Sequence, residues 1–121
     1  MIPISDSTLC INLLQQLGIP IHHVATYRTR EAILYGLENE NNLQRITRNM
    51  YVVVAERQNI LPSNVERAIR SCVKRMKESN LAFYKAMFPD EIYKGTITNK
   101  AFIHVVVRYI EKFKANYPQI S

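Results

Sequence analysis

Basic side chains recur at helical spacing in residues 63–78, and they are the groups in this chain best suited to bind an anion. Arg67, Arg70, Lys74 and Lys77 fall on one side of a helix, together with Ser63. An arginine can donate two hydrogen bonds to O6 and N7 of guanine, and basic side chains pair with phosphate oxygens. The pattern therefore predicts a nucleic-acid-binding face, although a solvated surface helix would carry the same stripe.

An apolar stripe occupies the opposite side of the same segment. Its members follow the i, i+4, i+7, i+8, i+11 pattern of a helix docked on a core: Val65, Ile69, Cys72, Val73 and Met76. Ser63 and Glu66 have the spacing of a capping box, in which each side chain bonds the other residue's backbone amide. With Pro62 just ahead, the sequence predicts a helix that begins sharply at Ser63 and whose Glu66 is partly occupied by its own backbone.

Individual roles follow from side-chain chemistry. Arg67 is the first candidate for reading a guanine, and Glu66 can accept a hydrogen bond from N4 of cytosine. Asn64 either bonds an adenine edge or only helps the helix begin. The predicted phosphate contacts are Ser63, Arg70, Lys74, Arg45 and Arg48. Arg45 and Arg48 belong to the preceding helix and have the alternative of being merely solvated.

Composition indicates one basic globular domain covering residues 1–121. The formal net charge is +6, and residues 43–77 account for all of it, with eight basic and two acidic side chains. Such a local excess favours an anionic partner. The chain has only three glycines and no extended apolar–polar alternation. This pattern argues against a β-rich fold and favours an all-α fold.

The apolar periodicity predicts about six helices. Their approximate ranges are 5–17, 22–38, 43–58, 63–78, 80–88, and 98 or 99 to 115. Ser5 or Asp6 is expected to cap the first helix, Gly18 to end it, and Thr98 or Asn99 to cap the last. Residues 43–78 would form a helix-turn-helix around a turn at residues 59–62, and residues 89–95 a loop. Outside residues 63–78 the predicted core includes Leu9, Leu13, Leu14, Leu17, Tyr27, Ile33, Leu34, Leu37, Met50, Val53, Val54, Phe88, Phe102, Val106, Tyr109 and Ile110.

The residue pattern gives no support to an enzyme, a metal site or a cofactor site. His22, His23 and His104 lack the neighbours of a catalytic triad or a metal-ligand set, and no glycine-rich phosphate loop is present. Cys10 and Cys72 lie on apolar faces without ligand spacing and are predicted to be buried free thiols in a reducing cytoplasm. No apolar run reaches the length of a membrane span, and no leader is apparent.

Three sequence blocks resemble the C-terminal effector domain of the master sporulation response regulator of endospore-forming bacteria. The most specific is Ser63-Asn64-Val65-Glu66-Arg67-Ala68-Ile69-Arg70, which resembles that family's recognition helix. The supporting blocks are Gly18-Ile19-Pro20-x-His22 leading to Arg30-Glu31-Ala32-Ile33, and Thr98-Asn99-x-x-Phe102-Ile103. The resemblance covers about residues 8–113. Three positions differ from the family pattern, with Asn64 in place of a basic residue and Val24-Ala25 in place of Lys-Gly.

The resemblance implies a six-helix domain that binds double-stranded DNA at TGTCGAA-type boxes. It also implies homodimerisation on tandem sites and contact with an RNA polymerase sigma factor, and it supports Glu66 and Arg67 as base readers. Such effector domains usually follow a phosphoacceptor receiver domain, which we do not expect within these residues. The alternative hypothesis is a protein-interaction module that binds sigma factor or a full-length relative and has weak DNA affinity. Its expected contact residues are the aromatics of 83–88 and Tyr117.

Overall fold

The computed structural model describes residues 5–39 and 46–116, with the side chains of residues 46–48 outside that description. Within these ranges the chain forms helices and no strand, which confirms the predicted all-α class. The helices are α1 (Asp6–Gln16), α2 (Val24–Glu38), α3 (Ile46–Gln58), α4 (Pro62–Ser79), α5 (Ala82–Met87), α6 (Pro89–Lys94) and α7 (Asn99–Asn116). Residues 40–45, which include the start of the predicted helix 43–58, and the tail from Tyr117 lie outside the described residues.

The ends of α1 follow from local chemistry. The Ser5 hydroxyl oxygen accepts a hydrogen bond from the Thr8 amide at 3.1 Å, which satisfies a donor that the helix itself leaves unpaired. At the other end Gly18 has a φ of +86°, and the Ile19 amide donates to the Leu14 carbonyl at 3.0 Å. This left-handed ending is the one that glycine favours. The predicted cap at Ser5 and the predicted stop at Gly18 are both confirmed.

A three-residue turn joins α3 to α4. Asn59 adopts a left-handed φ of +58°, and the Ile60 amide donates back to the Ala55 carbonyl at 3.0 Å. This bond closes the last turn of α3, so that Leu61 leads directly into Pro62. Residues 51–54 are helical despite their run of β-branched valines, as the longer 3.6-residue period predicted.

The prediction of a loop at residues 89–95 is wrong, because α6 occupies most of it. Pro89 stands at the first helical position, where its fixed φ suits a helix. Asp90 and Glu91 lie in the first turn and Lys94 in the last, which complements the helix dipole. Gly95 then ends the helix with a φ of +84°. This short helix raises the count from the predicted six to seven within the described ranges.

Helix α4 lies at the centre of the packing. It contacts α2 most extensively, then α3, and makes a smaller contact with α7. All five residues of its predicted apolar stripe are buried, and Ala68 joins them. The remaining fully buried large side chains include Leu14, Leu17, Ile19, Ile33, Met50, Val54, Phe88, Phe102, Ile103 and Ile110. Burial on this scale fixes the orientation of α4 and leaves only its opposite face to solvent.

Two aromatic residues predicted for the core are partly exposed to solvent. Tyr27 is 53% exposed, with the Arg30 guanidinium 4.1 Å from its ring centroid. Tyr109 is 37% exposed and meets the edge of Phe83. In α7 the buried positions include Ile103 and Val107, which the predicted inward face did not contain. The reason is close packing on α2, where Gly36 lets Val107 approach so nearly that an added Cβ would be 2.8 Å from its methyl group.

Both cysteines are buried and unpaired, as predicted. Burial, reinforced by the Asp6 carboxylate, raises the pKa of the Cys10 thiol to about 12. Burial also raises the pKa of Cys72, against the opposing effect of a hydrogen-bond contact with Thr29, whose hydroxyl oxygen lies 3.2 Å from the sulfur. Cys72 therefore joins the middle of α4 to α2.

Candidate nucleic-acid interface

The solvent face of α4 carries the predicted basic stripe. Arg67, Arg70, Lys74 and Lys77 are all exposed, and Ser63 at the helix start is exposed with them. Their spacing places them on the side opposite to the buried residues of α4. Because that buried side is packed on α2 and α3, the basic side chains project from a rigid helix rather than from a mobile segment.

The predicted capping box between Ser63 and Glu66 is wrong. Helix α4 begins one residue earlier, with Pro62 at its first position and Leu61 as the N-cap, and no side chain caps it. Proline is favoured there because its φ is already helical and because the first amide of a helix has no partner to lose. Ser63 therefore lies inside the first turn and its side chain points to solvent.

Glu66 has a different partner from the one predicted. Its carboxylate accepts a hydrogen bond from the Arg70 guanidinium, one helical turn further on. The two side chains remain 43% and 67% exposed, respectively. An exposed pair of this kind contributes little to stability, so its two charges can exchange partners at low cost.

The first turns of α4 are also held from behind by the start of α7. The side-chain amide of Asn99 donates to the Glu66 carbonyl oxygen at 3.1 Å and to the Tyr51 hydroxyl oxygen at 3.2 Å. Tyr51 belongs to α3, so one side chain joins α3, α4 and α7. The far end of α4 has its own contact, in which the Ser79 hydroxyl donates to the Gly18 carbonyl at 2.9 Å.

The structure describes only some of the other residues predicted for the site. Asn64 is partly exposed, and its backbone amide donates to the Leu61 carbonyl at 2.9 Å. Arg45 and the side chain of Arg48 lie outside the described residues, so their predicted phosphate contacts stay predictions. Arg57, which contributes to the same local charge, pairs with Glu38 of α2 at 3.4 Å.

The chain matches the family model described as "Sporulation initiation factor Spo0A C terminal" over residues 10–110. That match covers most of the sequence. The chain belongs to this family. The Spo0A C-terminal family comprises DNA-binding effector domains of transcription regulation and is not a family of enzymes. Its members bind double-stranded DNA at the 0A box, which makes this chain a DNA-binding regulatory domain.

Two further findings concern ligands and membranes. Across residues 5–39 and 46–116, no three His, Cys, Asp or Glu side chains cluster closely enough to hold a metal ion. In the same part of the chain, no helix combines the length and apolar character that crossing a membrane requires.

Sequence reasoning did not identify the linking role of Asn99 and Tyr51. The sequence predicts Thr98 or Asn99 as the cap of α7, and the cap is Thr98, whose hydroxyl oxygen accepts a hydrogen bond from the Ala101 amide at 3.0 Å. The signal in the sequence is the adjacent pair of capping residues, of which one suffices for the cap. Which residues the second side chain meets depends on the packing of α7 against α4.

Proposed function

We propose that this chain is a sequence-specific DNA-binding transcriptional regulator whose helix α4 enters the major groove. Asn64, Glu66 and Arg67 would contact base edges. Ser63, Arg70, Lys74, Arg45 and Arg48 would contact phosphates. The observation that carries the proposal is the exposed basic face of α4, on a helix fixed by six buried side chains. This is the geometry with which a recognition helix presents its N-terminal residues to bases.

Arg67 is the central base reader in this proposal. It is exposed near the N-terminal end of α4, and within residues 5–39 and 46–116 it forms no ion pair. Its guanidinium can therefore donate two parallel hydrogen bonds to guanine O6 and N7 without first giving up a partner. Glu66 and Arg70 act differently, because the arginine can move to a phosphate while the carboxylate turns to a cytosine amino group. DNA then replaces one ion pair with two contacts.

Salt dependence tests the electrostatic part of the proposal. If about four to six phosphates are neutralised, log K for a TGTCGAA-type box should fall against log salt with a slope of about −4 to −5. Fluorescence anisotropy with a labelled duplex between low and physiological salt measures this slope. A slope near zero would refute the nucleic-acid assignment of the basic face.

Paired substitutions test the division between base and phosphate contacts. Arg67→Ala should weaken binding to the specific box by about 1–3 kcal/mol and affect a random duplex much less. Lys74→Ala is the matched control, since it removes one charge from the same face and should weaken both duplexes by similar factors. Equal losses on both duplexes for Arg67→Ala would contradict its role as a base reader.

Pairing and sigma-factor contact are further parts of the proposal. Residues 1–121 would act as one domain in the bacterial cytoplasm, monomeric when dilute and paired on adjacent boxes. Exposed Ile92, Tyr93 and Tyr109 supply apolar surface for such contacts, whereas Phe88 is fully buried and Phe83 partly so. Comparing duplexes with one and two boxes measures the pairing, and equal affinity per site would exclude it. Weak DNA affinity with tight sigma-factor binding would instead favour the interaction-module alternative.

A further inference from the structure

We propose that Asn99 is a positioning residue for DNA recognition, one that sets sequence specificity by holding the first turns of α4 in register with α3 and α7. This inference rests on the proposed function of α4. Asn99 itself would touch no base and no phosphate. Its effect would be exerted through the backbone of Glu66.

The geometry of Asn99 is suited to this role. Its side-chain amide donates to the Glu66 carbonyl at 3.1 Å and to the Tyr51 hydroxyl at 3.2 Å. These partners lie 33 and 48 residues away in the sequence, on two other helices. Thr98 already caps α7. The Asn99 side chain is therefore not needed for the local helix start and is used across the helix junction.

The position of the bonded carbonyl explains why specificity would depend on it. Glu66 and Arg67 are adjacent in the chain, so a shift of the backbone at Glu66 moves both proposed base readers together. Hydrogen bonds to base edges require donor–acceptor distances within a few tenths of an ångström and near-linear angles. Long basic side chains, in contrast, can follow a phosphate through a small tilt of the helix. Loss of the Asn99 bond should therefore reduce specific binding and spare non-specific binding.

Asn99→Asp is the most informative substitution. Aspartate keeps the shape of asparagine, but it replaces the donating amide with an oxygen that repels the Glu66 carbonyl. Position 99 is the first residue of α7, where a carboxylate interacts favourably with the helix dipole. Helix α7 itself should therefore remain stable. Lys100→Gln is the matched control, because it lowers the net charge by the same amount at the neighbouring exposed position.

The measured quantity is the ratio of affinities for the box and for a random duplex of equal length. Asn99→Asp should lower this ratio by about tenfold, the order expected when a partly buried carbonyl loses one hydrogen bond and gains a repulsion. Lys100→Gln should leave the ratio unchanged, because its charge effect applies to both duplexes. Tyr51→Phe, which removes only the link to α3, should lower the ratio by less.

Thr98→Ala separates positioning from general loosening of α7. It removes the cap at the same helix start and should lower the melting temperature without changing the affinity ratio. An equal fall of the ratio in Thr98→Ala and Asn99→Asp would overturn the proposal, as would an unchanged ratio in Asn99→Asp. Failure of the proposed function is a separate outcome, since the wild-type chain would then not distinguish the box from random duplex at all.

Discussion

Replacing Gly18 by alanine should destabilise the fold far more than replacing Gly95. Both glycines have nearly the same left-handed backbone, with φ values of +86° and +84°. Their surroundings differ. A Cβ added at Gly18 would lie 2.5 Å from the Cβ of Ser79, whereas one at Gly95 would meet nothing within 4 Å. The Ser79 atom is fixed to the backbone of α4 and cannot rotate away, so α1 or α4 must move.

The expected losses of unfolding free energy are sums of backbone, packing and hydrogen-bond contributions. A left-handed alanine costs about 1–2 kcal/mol, and the reduced entropy of the unfolded chain returns about 0.4–1 kcal/mol. Gly95→Ala should therefore cost about 1 kcal/mol or less. Gly18→Ala adds overpacking of about 1–3 kcal/mol. It also strains the 2.9 Å hydrogen bond from Ser79 to the Gly18 carbonyl, which is worth about 1 kcal/mol. The expected difference between the two variants is about 2–4 kcal/mol.

Urea unfolding followed by far-ultraviolet circular dichroism measures both free energies. The double variant Gly18→Ala, Ser79→Gly should recover the overpacking part, because it removes the atom that the new Cβ would meet. Equal destabilisation by Gly18→Ala and Gly95→Ala would refute the reasoning, since it would mean that backbone conformation alone determines the cost and that the α1–α4 contact contributes nothing.

Three further predictions concern the thiols, the α2–α7 contact and the ion pair of α4. Since the pKa of Cys10 is raised from 9.0 to about 12, the unfolded state loses a proton first as the pH rises. Stability should therefore fall above pH 9 by up to about 1.4 kcal/mol per pH unit, and Cys10→Ala should flatten this dependence in urea titrations. Gly36→Ala should lower the free energy of unfolding by about 1 kcal/mol, because the clash of the new methyl group with Val107 outweighs the better helix propensity of alanine. In a Val107→Ala background the same substitution should raise the free energy of unfolding. Glu66→Gln should tighten binding to a random duplex in fluorescence anisotropy, because Arg70 then reaches a phosphate without leaving the Glu66 carboxylate; an unchanged affinity would show that this ion pair does not compete with phosphate.

The buried side of α4 was predictable from sequence, because a 3.6-residue apolar period determines which face a helix buries. The same reasoning assigned residues 51–54 to a helix. It succeeded there because the pattern extends through the whole of α3, whereas the valine run is only a local preference. Exposure of the basic stripe followed directly, since it lies opposite the apolar one.

The sequence analysis predicted neither the start of α4 nor the existence of α6. In both cases a proline at the first helical position marks the start of the helix. At α4, Ser63 and Glu66 fit a capping box, but Pro62 at the first helical position moved the start upstream. At α6, the sequence predicted a loop over residues 89–95, although Pro89 stands where proline begins a helix. The Asn99–Glu66 contact could not be predicted from any local sequence signal. It joins residues 33 positions apart, and no periodicity within either helix specifies it.

Asparagines in left-handed conformation stand just outside both ends of α4. Asn59 has a φ of +58° and Asn80 a φ of +51°. Asn59 follows the last residue of α3, and Asn80 is the C-cap of α4. These two residues lie outside the ends of α4, so its solvent-facing residues can be substituted while its buried ones are retained. For protein engineering, residues 60–79 form a segment whose exposed side chains can be exchanged on the same scaffold.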